Sequence, residues 1–244
     1  MNLVIDVGNS RTKLAVFDKN TIIDSLVFES MVLSDLDVLL NKYPTVNQCI
    51  ISSVQKTDRA ITVLLKQRAV KTKILDNNTP LPFINTYKTP LTLGMDRIAA
   101  IAGAIALYPK KNLLIIDAGT AITFDVIDEK NQYQGGTISP GLEMRFKALN
   151  HFTAKLPLLT KTDKSRLIGE STAEAIENGV QNGMIFEIEG YLTKISNLFP
   201  QLVVILTGGD GPFFDNKLKK PIFVISDLTL IGLNFILQYN AEKI

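Results

Sequence analysis

Two runs in this chain place a carboxylate, a glycine and a hydroxyl or amide directly after an apolar segment. Asp6-Val-Gly-Asn-Ser-Arg-Thr-Lys13 follows Leu3-Val-Ile5, and Asp117-Ala-Gly-Thr-Ala-Ile-Thr123 follows Leu114-Ile-Ile116. Aligning Asp6 with Asp117 also aligns Gly8 with Gly119, Asn9 with Thr120 and Thr12 with Thr123. A glycine here lets the backbone turn tightly and approach an anion closely, with main-chain N–H groups pointing at it. In the first run Asn9, Ser10 and Thr12 add hydrogen-bond donors, and Lys13 neutralises a terminal phosphate. Asp6 suits Mg²⁺, a hard cation that takes oxygen ligands directly or through water. A single Asp-x-Gly-Asn run is equally well a hairpin turn. Two copies with matched polar positions favour a polyphosphate–metal cradle built twice. In the second copy Asp117 and Thr120 are candidates for a cation or a phosphate, with Thr123 on the same wall. Asp125 alternates with Phe124 and Val126 and is expected at the surface.

Two further segments carry candidate chemistry. Thr207-Gly-Gly-Asp-Gly-Pro212 follows an apolar strand, and glycines without Cβ let a flat base or ribose lie on the backbone; a plain strand-to-helix turn has the same composition. Gly94-Met-Asp-Arg97 stands where a helix begins. Asp96 there is either an N-cap or a base that accepts the proton of an attacking hydroxyl. Arg97 is either a clamp for an anionic substrate group or half of a structural ion pair.

Periodicity supplies the elements that hold these residues. Leu3–Asp6, Thr12–Phe17 and Ile22–Phe28 read as strands, Ser34–Tyr43 as a helix capped by Ser34, Cys49–Ser52 as a buried strand, Asp58–Arg68 as a helix and Lys73–Leu75 as a strand. The order βββαβαβ suits a mixed sheet with helices on its faces. Residues 76 to 93 hold three prolines and read as an ordered, site-forming loop. The small-residue helix Ile98–Leu107 permits close backbone approach, either to another element or to a second subunit. The pattern restarts with Asn112–Asp117, Ala121–Ile127 and Gln132–Ile138. Helices follow at Pro140–Asn150 and Ser171–Leu198, then a strand at Leu202–Leu206 and a last helix at Leu228–Tyr239. The expectation is an α/β chain of two duplicated halves, 1–111 and 112–244, each a mixed sheet flanked by helices, with nucleotide in the cleft between the lobes.

Composition removes several alternatives. At 46% hydrophobic and 20% charged, the chain has core enough for ordinary globular domains. A net charge of +2, with basic residues clustered only at Lys110-Lys111 and at Lys217, Lys219 and Lys220, argues against nucleic acid as a partner. One cysteine, Cys49, and one histidine, His151, exclude a His/Cys zinc cluster and leave no support for a Ser-His-Asp triad. The N-terminus lacks the basic and apolar regions of a signal peptide, and Ile98–Leu107 falls well short of the about 20 residues needed to span a bilayer. A cytoplasmic protein without membrane association is expected.

In this order, Asp6-x-Gly-Asn-Ser10, Gly94-Met-Asp-Arg97, Asp117-Ala-Gly-Thr120, Gly135-Gly-Thr-Ile-Ser-Pro-Gly141 and Gly169-Glu-Ser-Thr172 resemble the type III pantothenate kinases. That family belongs to the acetate and sugar kinase, Hsp70 and actin superfamily, whose duplicated ribonuclease-H-like halves match the repeat. The resemblance covers residues 2 to about 235. It implies ATP-dependent phosphorylation of pantothenate to 4′-phosphopantothenate, the first step of coenzyme A synthesis. It assigns Asp6, Gly8, Asn9, Ser10, Arg11, Thr12 and Lys13 to the ATP phosphates, with Thr120 as a further ATP contact. It makes Asp96 the proton acceptor, and places Tyr87, Gly94, Met95, Arg97 and Thr172 with it in the substrate site. Asp117 would bind a monovalent cation, K⁺ or NH₄⁺, required beside Mg²⁺, and the protein would be a homodimer. Ser10 stands where the family often has Thr; either hydroxyl donates to phosphate. A small sugar or acetate kinase shares the phosphate motifs; Gly94–Arg97 and Thr172 argue against it. A non-catalytic nucleotide-binding regulator shares them too; Asp96 alongside both phosphate loops, with no separate DNA-binding or peptide-binding domain visible, argues against that.

Overall fold

The computed structural model describes residues 1–53, 58–164, 166–219 and 221–241, so Lys220 of the basic trio lies outside the described residues. The chain forms two compact units. The first contains residues 1–109, 131–133 and the C-terminal segment from 227; the second contains 110–130 and 134–226.

In the first unit, β1 (Asn2–Val7), β2 (Thr12–Asp18), β3 (Thr21–Phe28), α1 (Leu33–Lys42), β4 (Gln48–Ser53), α2 (Arg59–Gln67) and β5 (Lys71–Ile74) follow the expected βββαβαβ order. The sheet runs β3-β2-β1-β4-β5, antiparallel as far as β1 and parallel beyond it. Alternation decides its faces. Leu3 and Ile5, Leu14 and Val16, and Cys49 and Ile51 form one core with Leu36, Leu39 and Leu40 of α1 and Ile61 and Leu65 of α2. Burial pushes the Cys49 thiol far above its ordinary range, so it is an inert core residue.

The intervening segment contains β6 (Ile84–Asn85) and a 3₁₀ turn at Pro90–Thr92. It leads into α3 (Met95–Leu107), which packs against the last helix, α7 (Leu228–Ala241). Two glycines set that crossing. A Cβ on Gly232 would stand 1.8 Å from the Ala99 carbonyl oxygen, and one on Gly103 would stand 2.2 Å from the Leu228 carbonyl oxygen. The small residues expected to permit close approach thus serve α3 against α7. Polar side chains of α7 seat it on the same unit: Asn234 Nδ2 donates to the Lys19 carbonyl at 2.8 Å, and Asn240 Nδ2 to the Pro80 carbonyl at 2.9 Å.

The second unit repeats the plan with β7 (Leu113–Ala118), β8 (Ala121–Ile127), β9 (Gln132–Pro140), α4 (Leu142–His151), α5 (Thr172–Leu198), β10 (Val203–Thr207), α6 (Gly211–Asp215) and β11 (Phe223–Val224). Its sheet reads β9-β8-β7-β10-β11, the same order of strands as in the first. β6 pairs with the first two residues of β9, which belong to the first unit. Leu114, Ile116, Ile122, Phe124, Val126, Val204 and Leu206 face Phe146 of α4 and Val180, Met184 and Ile188 of α5. No helix among the described residues is long and apolar enough to cross a membrane.

The structure departs from the sequence expectations at four places. The first crossing between units falls near the expected 111/112 boundary, but α7 packs in the first unit because its glycine and asparagine contacts lie there. α1 starts after Val32, not Ser34, because the Asp35 carboxylate accepts the Val32 N–H at 3.0 Å. α3 begins at Met95 with Gly94 as N-cap, which puts Asp96 inside the first turn. Asp125 is 1% exposed, because the face of the second sheet that carries it, with Ile115 opposite, is buried as fully as the other.

Candidate functional site

Asp6 lies one residue before the end of β1, where its register partners are Lys13 on β2 and Ser52 on β4. Paired positions project from one face, so Lys13, Asp6 and Ser52 form a row across three strands. That row is on the face opposite the Leu3–Ile5 core, the face α7 packs against. The turn closes when Gly8 N donates to the Arg11 carbonyl at 3.0 Å, and a Cβ on Gly8 would come within 3.2 Å of that oxygen. Asn9, Ser10 and Arg11 are exposed at the tip, while Thr12 and Lys13 are half-buried. Burial holds the Asp6 carboxyl above the usual carboxylate range; Ser52, Lys13 and Thr229 pull it back, and the Asp96 charge pushes it further up. The Asp96 charge acts on Asp6, so the two carboxylates are within electrostatic reach of each other.

At that start, Asp96 is exposed and its carboxylate accepts the Arg97 N–H at 2.8 Å. Arg97 is 6% exposed; its guanidinium donates to the Tyr133 hydroxyl at 2.8 Å and lies 5.9 Å from the Tyr87 ring centre. Tyr87 and Tyr133 are tilted neighbours with ring centres 5.8 Å apart. Tyr133 is brought in by the pairing of β6 with β9, where Asn85 opposes it, and the Thr86 hydroxyl donates to its carbonyl. Gly94, Met95, Asp96, Arg97 and Tyr87 therefore belong with Asp6 and Lys13 in the first unit.

Asp117, Thr120 and Thr172 belong to the second unit. Asp117 on β7 is in register with Thr123 on β8 and Thr207 on β10. Gly119 N donates to the Ala121 carbonyl at 3.0 Å to close the turn. The Thr207-Gly-Gly-Asp210 turn abuts this site: Asp210 N donates to the Ala118 carbonyl at 2.9 Å, and a Cβ on Gly208 would stand 2.4 Å from Asp117 Oδ1. Thr120 is exposed, and its carbonyl accepts from Gly141 N at 3.1 Å. A Cβ on Gly141 would be 2.1 Å from the Gly119 carbonyl, which explains the last glycine of Gly135–Gly141. Thr172 is exposed at the first position of α5, behind the N-cap Ser171, whose hydroxyl accepts from Glu174 N at 3.3 Å.

Ser52, Thr229 and Tyr133 were not legible as site residues. Each is an ordinary core or strand residue in its own segment, and only register or packing brings it to a charged group. Among the described residues no group of three or more His, Cys, Asp or Glu side chains is arranged to hold a metal. One carboxylate is enough for Mg²⁺ when phosphates and water fill its other positions, and Asp6 near the end of β1 fits that role. A groove of about 700 Å³ lined by Leu33, Asp37, Arg59, Val63 and Leu64 of α1 and α2 contains none of the candidate residues.

Comparison with known proteins adds a family to this geometry. The family model for type III pantothenate kinase matches residues 2–194. A type III pantothenate kinase of Phocaeicola vulgatus is 47% identical over 99% of this chain and 100% of its own. Another, of Christiangramia forsetii, is 46% identical over the full length of both. Among solved structures, a Campylobacter jejuni protein described as a candidate Baf family transcriptional activator superposes with a TM-score of 0.63 at 23% identity, over 98% of this chain and 99% of that one, and so speaks for the fold alone. The chain belongs to the type III pantothenate kinase family.

Proposed function

We propose that the residues gathered in the first unit carry the phosphoryl transfer of a pantothenate kinase, from ATP to the primary hydroxyl of pantothenate. The product is 4′-phosphopantothenate, and the step is the first of coenzyme A synthesis. The observation that carries this assignment is the convergence of Asp6, Lys13 and Asp96: a phosphate-type turn with its own cation, beside a carboxylate able to accept a proton. Family membership supplies the two substrates.

Phosphoryl transfer asks the protein mainly for positioning and charge neutralisation. Main-chain N–H groups of residues 9–11 and the side chains of Asn9, Ser10 and Thr12 hold the phosphate oxygens, while the Gly8 N–H closes the turn. Arg11 is at the same tip, and Lys13 offsets charge developing on the transferred group. Asp6 would hold Mg²⁺, which would supply neutralisation of phosphate charge there. Asp96 orients the acceptor hydroxyl and takes its proton, with Gly94, Met95, Arg97 and Tyr87 around the acceptor; Thr172 is assigned to the substrate by the resemblance alone. Thr120 is a further ATP contact. Asp117, Thr123 and Thr207 make an all-oxygen set without a lysine, which suits K⁺ or NH₄⁺. We assign the protein to the cytoplasm as a homodimer, following the resemblance.

The test is phosphate transfer from ATP to pantothenate with Mg²⁺, in K⁺, in NH₄⁺ and in Na⁺ alone. Turnover that needs K⁺ or NH₄⁺ is expected. Turnover indifferent to the monovalent ion would remove the role of Asp117, and no transfer in any salt would remove pantothenate as acceptor.

A further inference from the structure

We propose that Thr229 and Ser52 are positioning residues for Asp6, their hydroxyls fixing the orientation in which its carboxylate meets Mg²⁺ and the ATP phosphates. The inference rests on the role given to Asp6 above and adds two residues that no motif contains.

Geometry places both. Ser52 is the register partner of Asp6 on the parallel neighbour β4, and it is 1% exposed on the same face of the sheet. Thr229 is in the first turn of α7, 8% exposed, and α7 packs against both β1 and β4. Both hydroxyls act on the Asp6 carboxyl, each lowering its pKa as donors to the ionised form do. A half-buried carboxylate with donors from two sides has its rotation about the terminal bond restricted, and its remaining lone pairs point in one direction. Lys13, on the opposite neighbour strand, sets the third side of the same row.

Thr229 reaches this place from the far end of the sequence, after the chain has completed the second unit. The Gly103–Gly232 contact and the Asn234 and Asn240 hydrogen bonds decide the seating of α7, and so the placement of its first turn. The C-terminal helix is thereby a support of the N-terminal phosphate turn, and that gives a physical reason for its packing in the first unit.

The experiment compares the wild type with Thr229→Val, Thr229→Ser and Ser52→Ala. Calorimetry reads ATP binding as Mg²⁺ is titrated without pantothenate, initial rates read kcat and KM, and thermal melts read folding. Hydrogen bonds to a charged group of this kind correspond to about 10- to 100-fold. Thr229→Val is expected to raise the Mg²⁺ needed for half-maximal ATP binding and to lower kcat, each within that range. KM for pantothenate should stay at the wild-type value. Thr229→Ser restores both, because it returns the hydroxyl without the methyl, and Ser52→Ala shifts both in the same direction as Thr229→Val. Wild-type Mg²⁺ dependence and kcat in Thr229→Val would overturn the proposal, as would a Thr229→Ser protein as defective as Thr229→Val. If Thr229→Val does not fold, Ser52→Ala decides by the same criteria. Wild-type protein that binds ATP with Mg²⁺ but transfers nothing to pantothenate would overturn the acceptor, while the binding measurements still judge Asp6 and its supports. Wild-type protein with no Mg²⁺-dependent ATP binding would overturn both.

Discussion

The two Asp-x-Gly turns occupy equivalent places in two sheets of the same strand order, yet they have diverged in what surrounds the carboxylate. Asp6 is flanked in register by Lys13 and Ser52; Asp117 is flanked by Thr123 and Thr207. The first row therefore has a cation beside the carboxylate and a second carboxylate, Asp96, within electrostatic reach. The second row has hydroxyls only, and its following turn is pressed against it: Gly208 leaves no room between itself and Asp117. A repeated backbone thus supplies two oxygen-lined turns, and the cross-strand neighbours decide their chemistry. On the proposed roles, Lys13 suits the first to multiply charged phosphates, and the hydroxyl neighbours Thr123 and Thr207 suit the second to a cation of low charge.

The largest effect should come from Asp96, which has no counterpart in the second turn's register row. Asp96→Asn is expected to lower kcat by about 10²- to 10⁴-fold, the range for losing a positioned acid–base group, while ATP binding stays intact. Single-turnover rates and calorimetric ATP binding check both halves. Retained turnover would leave the two turns distinguished by Lys13 alone.

Asp6→Asn comes next and separates stability from activity. Its carboxyl is held above the ordinary carboxylate range by burial, so the folded protein binds its proton more tightly than the unfolded chain. Stability is then lost as pH rises from the ordinary carboxylate value through the raised one, and the penalty is complete above both. Asn carries no such charge. The Asp6→Asn protein should therefore melt above the wild type at pH 7 without ligands, and the gap should close as pH falls through that window. Each 1 kcal/mol corresponds to roughly 2–4 °C in Tm for a chain of this size. Its kcat should fall about 10²- to 10³-fold, as for other preorganised electrostatic groups. A melting point below that of the wild type at pH 7 would mean that Ser52, Lys13 and Thr229 outweigh burial.

Much of this contrast is legible in the sequence, and the part that is not has a common cause. Strand alternation and the Asp-x-Gly turns fall within single segments, so the duplication and the βββαβαβ order were legible from local pattern. Gly94–Arg97 was legible as a helix start, although the first turn reaches back to Met95. What was hidden depends on pairings between distant segments. Nothing near Thr229 marks it as a neighbour of Asp6, and Tyr133 meets Arg97 only through the two-residue pairing of β6 with β9. Asp125 was misplaced because alternation predicts faces but not whether the second face is covered. The position of α7 followed from glycine contacts that no periodicity encodes.

Asp117→Asn probes the second turn. If this turn serves a monovalent cation, the substitution should lower turnover in K⁺ by about tenfold, a loss of 1.4 kcal/mol of transition-state stabilisation, and should reduce the advantage of K⁺ over Na⁺. ATP binding with Mg²⁺ should be little changed. A variant that loses Mg²⁺-dependent ATP binding to the same extent as Asp6→Asn would erase the functional distinction between the two rows.

The smallest effect on chemistry is expected from the glycine pair after Thr207, and it tests whether that turn shapes the Asp117 site or merely follows it. Gly208 has φ of +90°, and a Cβ there would stand 2.4 Å from both Asp117 Oδ1 and the Ala118 carbonyl oxygen. Gly209 has nothing within 4 Å of its virtual Cβ. Gly208→Ala should therefore cost about 1–3 kcal/mol of stability through backbone strain and displacement of Asp117, and should weaken the K⁺ response in proportion. Gly209→Ala should leave melting temperature and K⁺ response close to wild type, because a methyl group enters open space. If base or ribose lies against the Gly209 backbone, the same substitution raises KM for ATP without changing stability. Equal losses of stability in the two variants would show that the tight contact at Gly208 does not determine the geometry of the second turn.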